Sequence, residues 1–176
     1  AVPHRNMGES ISDDGEGEKV FVFGRVLDNK GNPVEGSVID ARQASHDDFH
    51  DNQQPKVQPE HNFRGLFTTG TEGRYWYKAI KPAYYGIPND SHVGDMPRGL
   101  GRTDKRPAHP HYIISKTGFD LVTTHIFDGD DPHLSEDPVF GVGASLINTF
   151  DRIDNKSRAA EIGISNQFGK LKPILF

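Results

Sequence analysis

His109-Pro110-His111 places two imidazoles two residues apart. In an extended segment such residues point to one face, so both rings can reach a single metal ion. An isolated pair of this kind is more often two surface histidines in a polar loop than a metal site. Three neighbouring segments shift that balance: Arg106-Pro107-Ala108 leads directly into the pair, Tyr84-Tyr85-Gly86-Ile87-Pro88 lies upstream, and Thr124-His125-Ile126-Phe127 lies downstream. The chain has no cysteine, which excludes a disulfide framework, thiolate zinc and iron-sulfur sites and a cysteine nucleophile. Any metal must be held by His, Tyr, Asp or Glu.

Such a site needs rigid elements to hold it, and the sequence points to strands. Residues 20–27 are β-branched and aromatic, residues 28–33 carry turn chemistry, and residues 34–41 resume an extended pattern, which predicts a hairpin. A second hairpin is expected from residues 64–69 and 74–80 around Gly70-Thr71-Glu72-Gly73, and a third from residues 111–115 and 121–127 around Lys116-Thr117-Gly118-Phe119-Asp120. The Tyr75-Trp76-Tyr77 stretch reads as core and sheet surface, and Asp128-Gly129-Asp130-Asp131 as a solvated turn. Two long loops, residues 45–64 and 82–108, lack periodicity and are of the size that more often carries function. Short strands without sustained helical periodicity make the chain an all-β antiparallel sandwich, with at most a short helix over residues 156–164.

The chain has 176 residues, a length suited to one domain. Residues 1–18 are polar and dotted with glycine, and are expected to form an arm lying over a single catalytic domain, residues 19–176. Its 19 glycines and 12 prolines favour many turns over long helices. Lys plus Arg is 20 against Asp plus Glu 25, a net charge of -5 that disfavours nucleic acid and anionic membrane surfaces as partners. No apolar run approaches the roughly 20 residues of a membrane-spanning helix, and the opening segment lacks the apolar centre of a signal peptide, so a cytoplasmic location is expected.

A series of segments resembles the intradiol ring-cleaving dioxygenases, within them the hydroxyquinol and catechol 1,2-dioxygenase group. They are Gly24-Arg25-Val26 with Gly31-Asn32-Pro33-Val34-Glu35-Gly36, Asp51-Asn52-Gln53-Gln54-Pro55, Arg64-Gly65-Leu66-Phe67-Thr68-Thr69, Gly73-Arg74-Tyr75, Tyr85-Gly86-Ile87-Pro88, Arg106-Pro107-Ala108-His109-Pro110-His111 and Asp137-Pro138-Val139-Phe140-Gly141-Val142. The resemblance implies a β-sandwich catalytic domain with one mononuclear non-haem iron, Fe(III), held by two tyrosinates and two histidines. Carried over residue by residue, His109 and His111 are the histidine ligands and Tyr85 is the axial tyrosinate and catalytic base. Arg106 stabilises anionic character on the substrate ring, and His125 lines the pocket; a buried structural ion pair for Arg106 and a core histidine for His125 are the bland alternatives. The implied partners are a small aromatic diol and O2, and a homodimer is a further expectation.

The resemblance also exposes departures. Where the family reads approximately Trp-Gln-Ala-Asn-x-x-Gly-x-Tyr-Asp, this chain has Arg42-Gln43-Ala44-Ser45-His46-Asp47-Asp48-Phe49-His50-Asp51, so His50 stands at the position of the second tyrosinate. Imidazole suits iron and zinc alike, and the expected metal ligands are therefore His50, Tyr85, His109 and His111. Losing one anionic ligand favours a lower charge on the metal, which brings Fe(II) or Zn into consideration. Tyr84 is not expected to substitute, because adjacent residues of an extended chain face opposite ways. Pro110 lacks a backbone donor, which places its segment at an edge or bulge. The family's N-terminal helical domain has no counterpart in these residues, which implies a more open site. Ring opening of a catechol or hydroxyquinol-type diol, non-oxidative Lewis-acid chemistry on a bulkier phenol, and a catalytically silent binding protein all remain open at this point.

Overall fold

The computed structural model describes residues 1–12, 17–53, 55–87 and 99–151, with positions 95, 97 and 157. The short helix expected over 156–164 falls outside these residues except at Ser157. Among the described residues ten strands follow in chain order: β1 (Lys19–Arg25), β2 (Val38–Arg42), β3 (Arg64–Thr68), β4 (Arg74–Ile80), β5 (Tyr85–Gly86), β6 (Lys105–Arg106), β7 (His111–Ser115), β8 (Val122–His125), β9 (Phe127–Asp128) and β10 (Ile147–Asn148). No helix among the described residues is long and apolar enough to cross a membrane.

Two antiparallel sheets make the body of the fold, β1-β4 and β3-β2-β7-β8. Alternation along each strand sends one set of side chains inward. Val20 and Val22 of β1 and Tyr75, Tyr77 and Ala79 of β4 meet Ile39 and Ala41 of β2, Phe67 of β3 and Tyr112 and Ile114 of β7 in one apolar cluster. The Phe67 and Tyr77 rings stack at 5.0 Å between the sheets. Buried hydroxyls need partners, and those of Tyr77 and Tyr112 find each other at 2.7 Å. Trp76, between the two core tyrosines, points outward.

Of the three expected hairpins only β7–β8 forms, with His111 opposite His125. β1 pairs with β4, and β2 with β3 and β7. The turn residues do turn the chain: the Asp28 carboxylate accepts the amides of Lys30 and Asn32, each at 2.8 Å. Beyond the turn, however, the chain crosses to the opposite sheet. Alternating strands joined by a turn satisfy their apolar faces equally well side by side in one sheet or face to face across a sandwich, so pattern and turn chemistry do not separate the two. Gly73 closes the second crossing at φ +66, and a Cβ there would lie 2.3 Å from the Val26 carbonyl oxygen, so no other residue fits without moving the backbone.

The N-terminal arm is stitched into both sheets. Arg5 N–H donates to Leu66 O at 2.9 Å, Gly8 N–H to Trp76 O at 2.9 Å and Ile11 N–H to Lys78 O at 3.0 Å. Ile11 is fully buried in the shared core. The arm thus covers the free edges of β3 and β4, which would otherwise offer unpaired backbone groups.

Candidate metal centre

Tyr112 and Ile114 of β7 face the core, so His111 projects from the opposite face of the four-stranded sheet. On that face the pairing sets Arg64, Arg42, His111 and His125 directly opposite one another across β3, β2, β7 and β8. His109 stands just before β7. Pro110 immediately precedes a central strand rather than an edge, where its missing donor breaks no ladder bond.

The segment carrying His109 is pinned on both sides. Asp131 accepts the Ala108 amide at 2.9 Å, and the Asp128 amide donates to the Ala108 carbonyl at 2.9 Å. Asp128 and Asp131 are 3% and 9% exposed, so the expected solvated turn is instead a buried brace beside the site. A carboxylate loses less on burial when it accepts amide hydrogens or meets a cation. Asp128 meets Lys81 Nζ at 2.9 Å, and Asp131 also accepts the His133 amide at 2.8 Å.

β5 and β6 place Tyr85 opposite Arg106. Arg106 Nη1 donates to the Tyr85 hydroxyl at 3.3 Å, and Arg106 Nε donates to Asp137 Oδ1 at 3.1 Å. Both guanidinium and carboxylate are buried, at 9% and 2% side-chain exposure. The ion pair and the contact with Tyr85 coexist, so the structural and functional readings of Arg106 are not alternatives. Tyr84 faces away, exposed against the His133 ring at 4.7 Å, as expected for a neighbour on an extended chain.

Three donor atoms converge. His109 Nε2 and His111 Nε2 are 3.1 Å apart, and the Tyr85 hydroxyl lies 3.4 Å from each. Donors bound to one ion at about 2.0–2.1 Å sit about 2.8–3.4 Å from one another, the lower end for octahedral and the upper for tetrahedral geometry. The triangle therefore fits a first-row metal ion as it stands. His109 Nδ1 lies 2.6 Å from the Pro107 carbonyl. This carbonyl only accepts, so Nδ1 carries the proton and the Nε2 lone pair is turned toward the triangle.

Burial, then the Arg106 charge, lowers the His109 pKa to about 3. Burial, then His109, lowers that of His111 to about 2. Both rings are neutral at pH 7, the protonation state a metal requires. Burial lifts the Tyr85 hydroxyl above its ordinary value, and the charge and hydrogen bond of Arg106 oppose that rise.

The remaining candidates lie on either side of His111. The His50 ring stands 5.3 Å from Tyr85 and 5.8 Å from His111, lining the same cleft, with its backbone N–H donating to Gln53 Oε1 at 2.8 Å. Burial, then Arg42, holds its pKa below the ordinary histidine value. His125 is closer to the pair, its ring 4.6 Å from His111 and 5.0 Å from His109. The ligand atoms of His109, His111 and His125 lie within 4.8 Å of one another, a set that does not include His50. The expected group of His50, Tyr85, His109, His111, Arg106 and His125 thus gathers in one place. Nothing in the sequence points to Asp131 as a support, and the motif Asp137-Pro138-Val139-Phe140-Gly141 is the one signal for Asp137.

The fold and this cluster define the chain as a member of the intradiol ring-cleavage dioxygenases. The sequence model of the family described as Dioxygenase matches residues 3–168. The chain is 50% identical over 165 residues to hydroxyquinol 1,2-dioxygenase of Rhizobium sp. (strain MTP-10005), covering 94% of this chain and 56% of that one. It is 34% identical to catechol 1,2-dioxygenase of Candida albicans (strain SC5314 / ATCC MYA-2876) over 80% of this chain and 46% of the other. The solved structure of hydroxyquinol 1,2-dioxygenase from Pseudomonas putida DLL-E4 is similar with a TM-score of 0.89 and 33% identity, covering 100% of this chain and 61% of that one. The chain spans about half the length of the curated relatives it matches.

Proposed function

We propose that the chain supplies the catalytic domain of a non-haem iron enzyme that opens a catechol or hydroxyquinol-type ring between its two hydroxyls with O2. The observation that carries this reading is the triangle of His109, His111 and Tyr85 donors beside the buried Arg106. Iron bound there supplies the redox-active centre, with Fe(III) the state this reading requires. His109, His111 and Tyr85 hold it, with His50 as the fourth protein ligand. Tyr85 receives a proton from a substrate hydroxyl, and Arg106, within 3.3 Å of the Tyr85 oxygen, stabilises the anionic character that builds on the substrate ring. His125, expected to line the pocket, is not among the described residues that line the cleft; its ring backs that of His111 at 4.6 Å and steadies it. The bond between the hydroxyl-bearing carbons breaks and each carbon gains one atom of O2, so diol and O2 give a dicarboxylic acid with no external reductant.

The test is the visible spectrum of the iron-loaded protein before and after anaerobic addition of hydroxyquinol, followed by O2 uptake. A tyrosinate charge-transfer band that shifts on addition, with one O2 consumed per ring, is expected. His50 at the second tyrosinate position leaves Tyr85 as the one anionic donor of the proposed set, and this favours Fe(II) or Zn in a second reading, Lewis-acid chemistry on a bulkier phenol. Colourless protein with stoichiometric metal, turning over a phenol without O2, would establish that reading instead.

A further inference from the structure

His109, His111 and Tyr85 stand on strands or directly beside them, whereas His50 lies on the long loop between β2 and β3. A metal ligand on a loop keeps its place only if bonds around it fix the backbone that carries it. The segment that follows His50, Asp51-Asn52-Gln53, forms a single 3₁₀ turn. Gln53 takes both backbone groups of His50: its side-chain Oε1 accepts the His50 N–H at 2.8 Å, and its own N–H donates to the His50 carbonyl at 2.9 Å. This is the reach by which a Gln closes a capping box on the residue three positions before it. One residue earlier, the Phe49 carbonyl accepts the Ser45 N–H at 2.8 Å.

Asp51 ties down the other side. Its Oδ2 accepts the backbone N–H of His61, ten residues on, at 3.0 Å. His61 and Phe63 both have left-handed backbone, at φ +64 and +58. For a bulky side chain such as Phe63 that conformation is costly and persists only where the surroundings over-determine it. They do so here. Phe63 is fully buried, its N–H donates to the Ile11 carbonyl at 2.7 Å, and its own carbonyl accepts the Gln43 N–H at 3.1 Å, directly after β2. The turn that Asp51 grips is therefore part of the body of the sandwich. With its backbone held from both sides, only the side-chain torsions of His50 are left to set its ring, which stands 5.3 Å from Tyr85 and 5.8 Å from His111.

We infer that Gln53 and Asp51 are positioning residues that hold His50 beside the donor triangle and act on the metal through it. The inference rests on the proposed reading of His50 as a ligand and adds the residues that keep it in place.

The test is chelator competition for Fe(III), run on single variants and again in the His50→Ala background. Gln53→Ala and Asp51→Ala each weaken iron binding by about tenfold or more, the range of a ligand's outer partners. Gln53→Glu, which keeps the acceptor oxygen, retains most of the affinity. In the His50→Ala background, which itself binds iron more weakly, neither Ala substitution costs anything further, because a residue acting through His50 has nothing left to hold. Gln53 is exposed, and its Ala variant loses about one hydrogen bond, so the melting temperature of the metal-free protein falls by no more than about 2–4 °C. The decision therefore rests on Gln53→Ala even if Asp51→Ala fails to fold. Undiminished affinity in Gln53→Ala, or an equal loss with and without His50, overturns the inference while leaving His50 as a ligand. Unchanged affinity in His50→Ala overturns the ligand reading and the inference together, and leaves the triangle of His109, His111 and Tyr85 standing.

Discussion

His109 donates its Nδ1 proton to the carbonyl of Pro107 at 2.6 Å, two residues back along the chain. A backbone acceptor so close fixes both ring orientation and tautomer, and it commits Nε2 to accept. The other two corners of the triangle, Tyr85 and His111, are 3.4 and 3.1 Å from that atom. A metal removes the conflict of several acceptors facing one another. Outer partners of a ligand are worth about 10–100-fold in metal affinity, so removing a proposed ligand itself in His109→Ala should weaken iron binding by at least about 100-fold. Chelator competition measures it directly, and unchanged affinity would remove His109 from the ligand set.

The buried histidines give the metal-free protein a definite pH dependence. Their folded pKa values lie at about 3 for His109 and about 2 for His111, against about 6.5 in an unfolded chain. Between these limits the unfolded chain binds more protons than the folded one, so stability rises with pH. It is lost progressively as pH falls from about 6.5 toward 3, by up to about 1.4 kcal/mol per pH unit for each ring. Urea unfolding at pH 7, 6 and 5 should show the midpoint falling, and His111→Gln should flatten the slope. Iron loading should steepen the acid response, since protons and metal compete for the same lone pairs.

The residues that share a short segment were legible from sequence. His109 and His111 are two apart, Arg106 and Tyr85 sit in contiguous motifs, and β7 begins at His111 as expected. What was not legible depends on distant partners. Asp131 braces Ala108 across 23 residues and Asp137 holds Arg106 across 31. The motif around Asp137 marks that residue but not its partner, and a run of aspartates such as that at Asp131 looks solvated until the backbone amides it serves are known. The nearness of His125 to His111, and the opposition of Arg42 to Arg64, are consequences of strand register. Register became readable only once β2 was found between β3 and β7 rather than beside β1.

Asp137 is the support most exposed to test. It meets Arg106 Nε at 3.1 Å and accepts the Gly141 amide through its other oxygen at 2.8 Å. Asp137→Asn keeps the shape and removes the charge, leaving a buried guanidinium uncompensated. Breaking one side of a buried pair costs about 3–5 kcal/mol, and the midpoint of chemical denaturation should fall accordingly. Arg106 also donates to Tyr85, so the charge-transfer band of the iron-loaded variant should move as well; a stability loss with an unmoved band would confine Asp137 to a structural part.

His50→Tyr examines the proposed ligand position at which the resemblance implies a departure from the family. The ring of His50 already stands edge-on to Tyr85 at 5.3 Å in the cleft. Arg42, second only to burial in keeping that imidazole neutral, would favour a phenolate at the same place. If His50 reaches the metal, a tyrosine there adds an anionic oxygen donor, and the iron-loaded variant should gain a second tyrosinate charge-transfer contribution. Its preference for Fe(III) over Fe(II) should rise by at least about tenfold, the equivalent of about 1.4 kcal/mol. An unchanged spectrum and unchanged preference would show that position 50 stays outside the coordination sphere. His125 would then be the imidazole to complete it, since its ligand atoms share a 4.8 Å set with those of His109 and His111. His125→Ala would in that case lower iron affinity by about the same factor as His109→Ala, whereas with His50 as ligand it should leave metal affinity within about twofold of wild type and weaken diol binding instead.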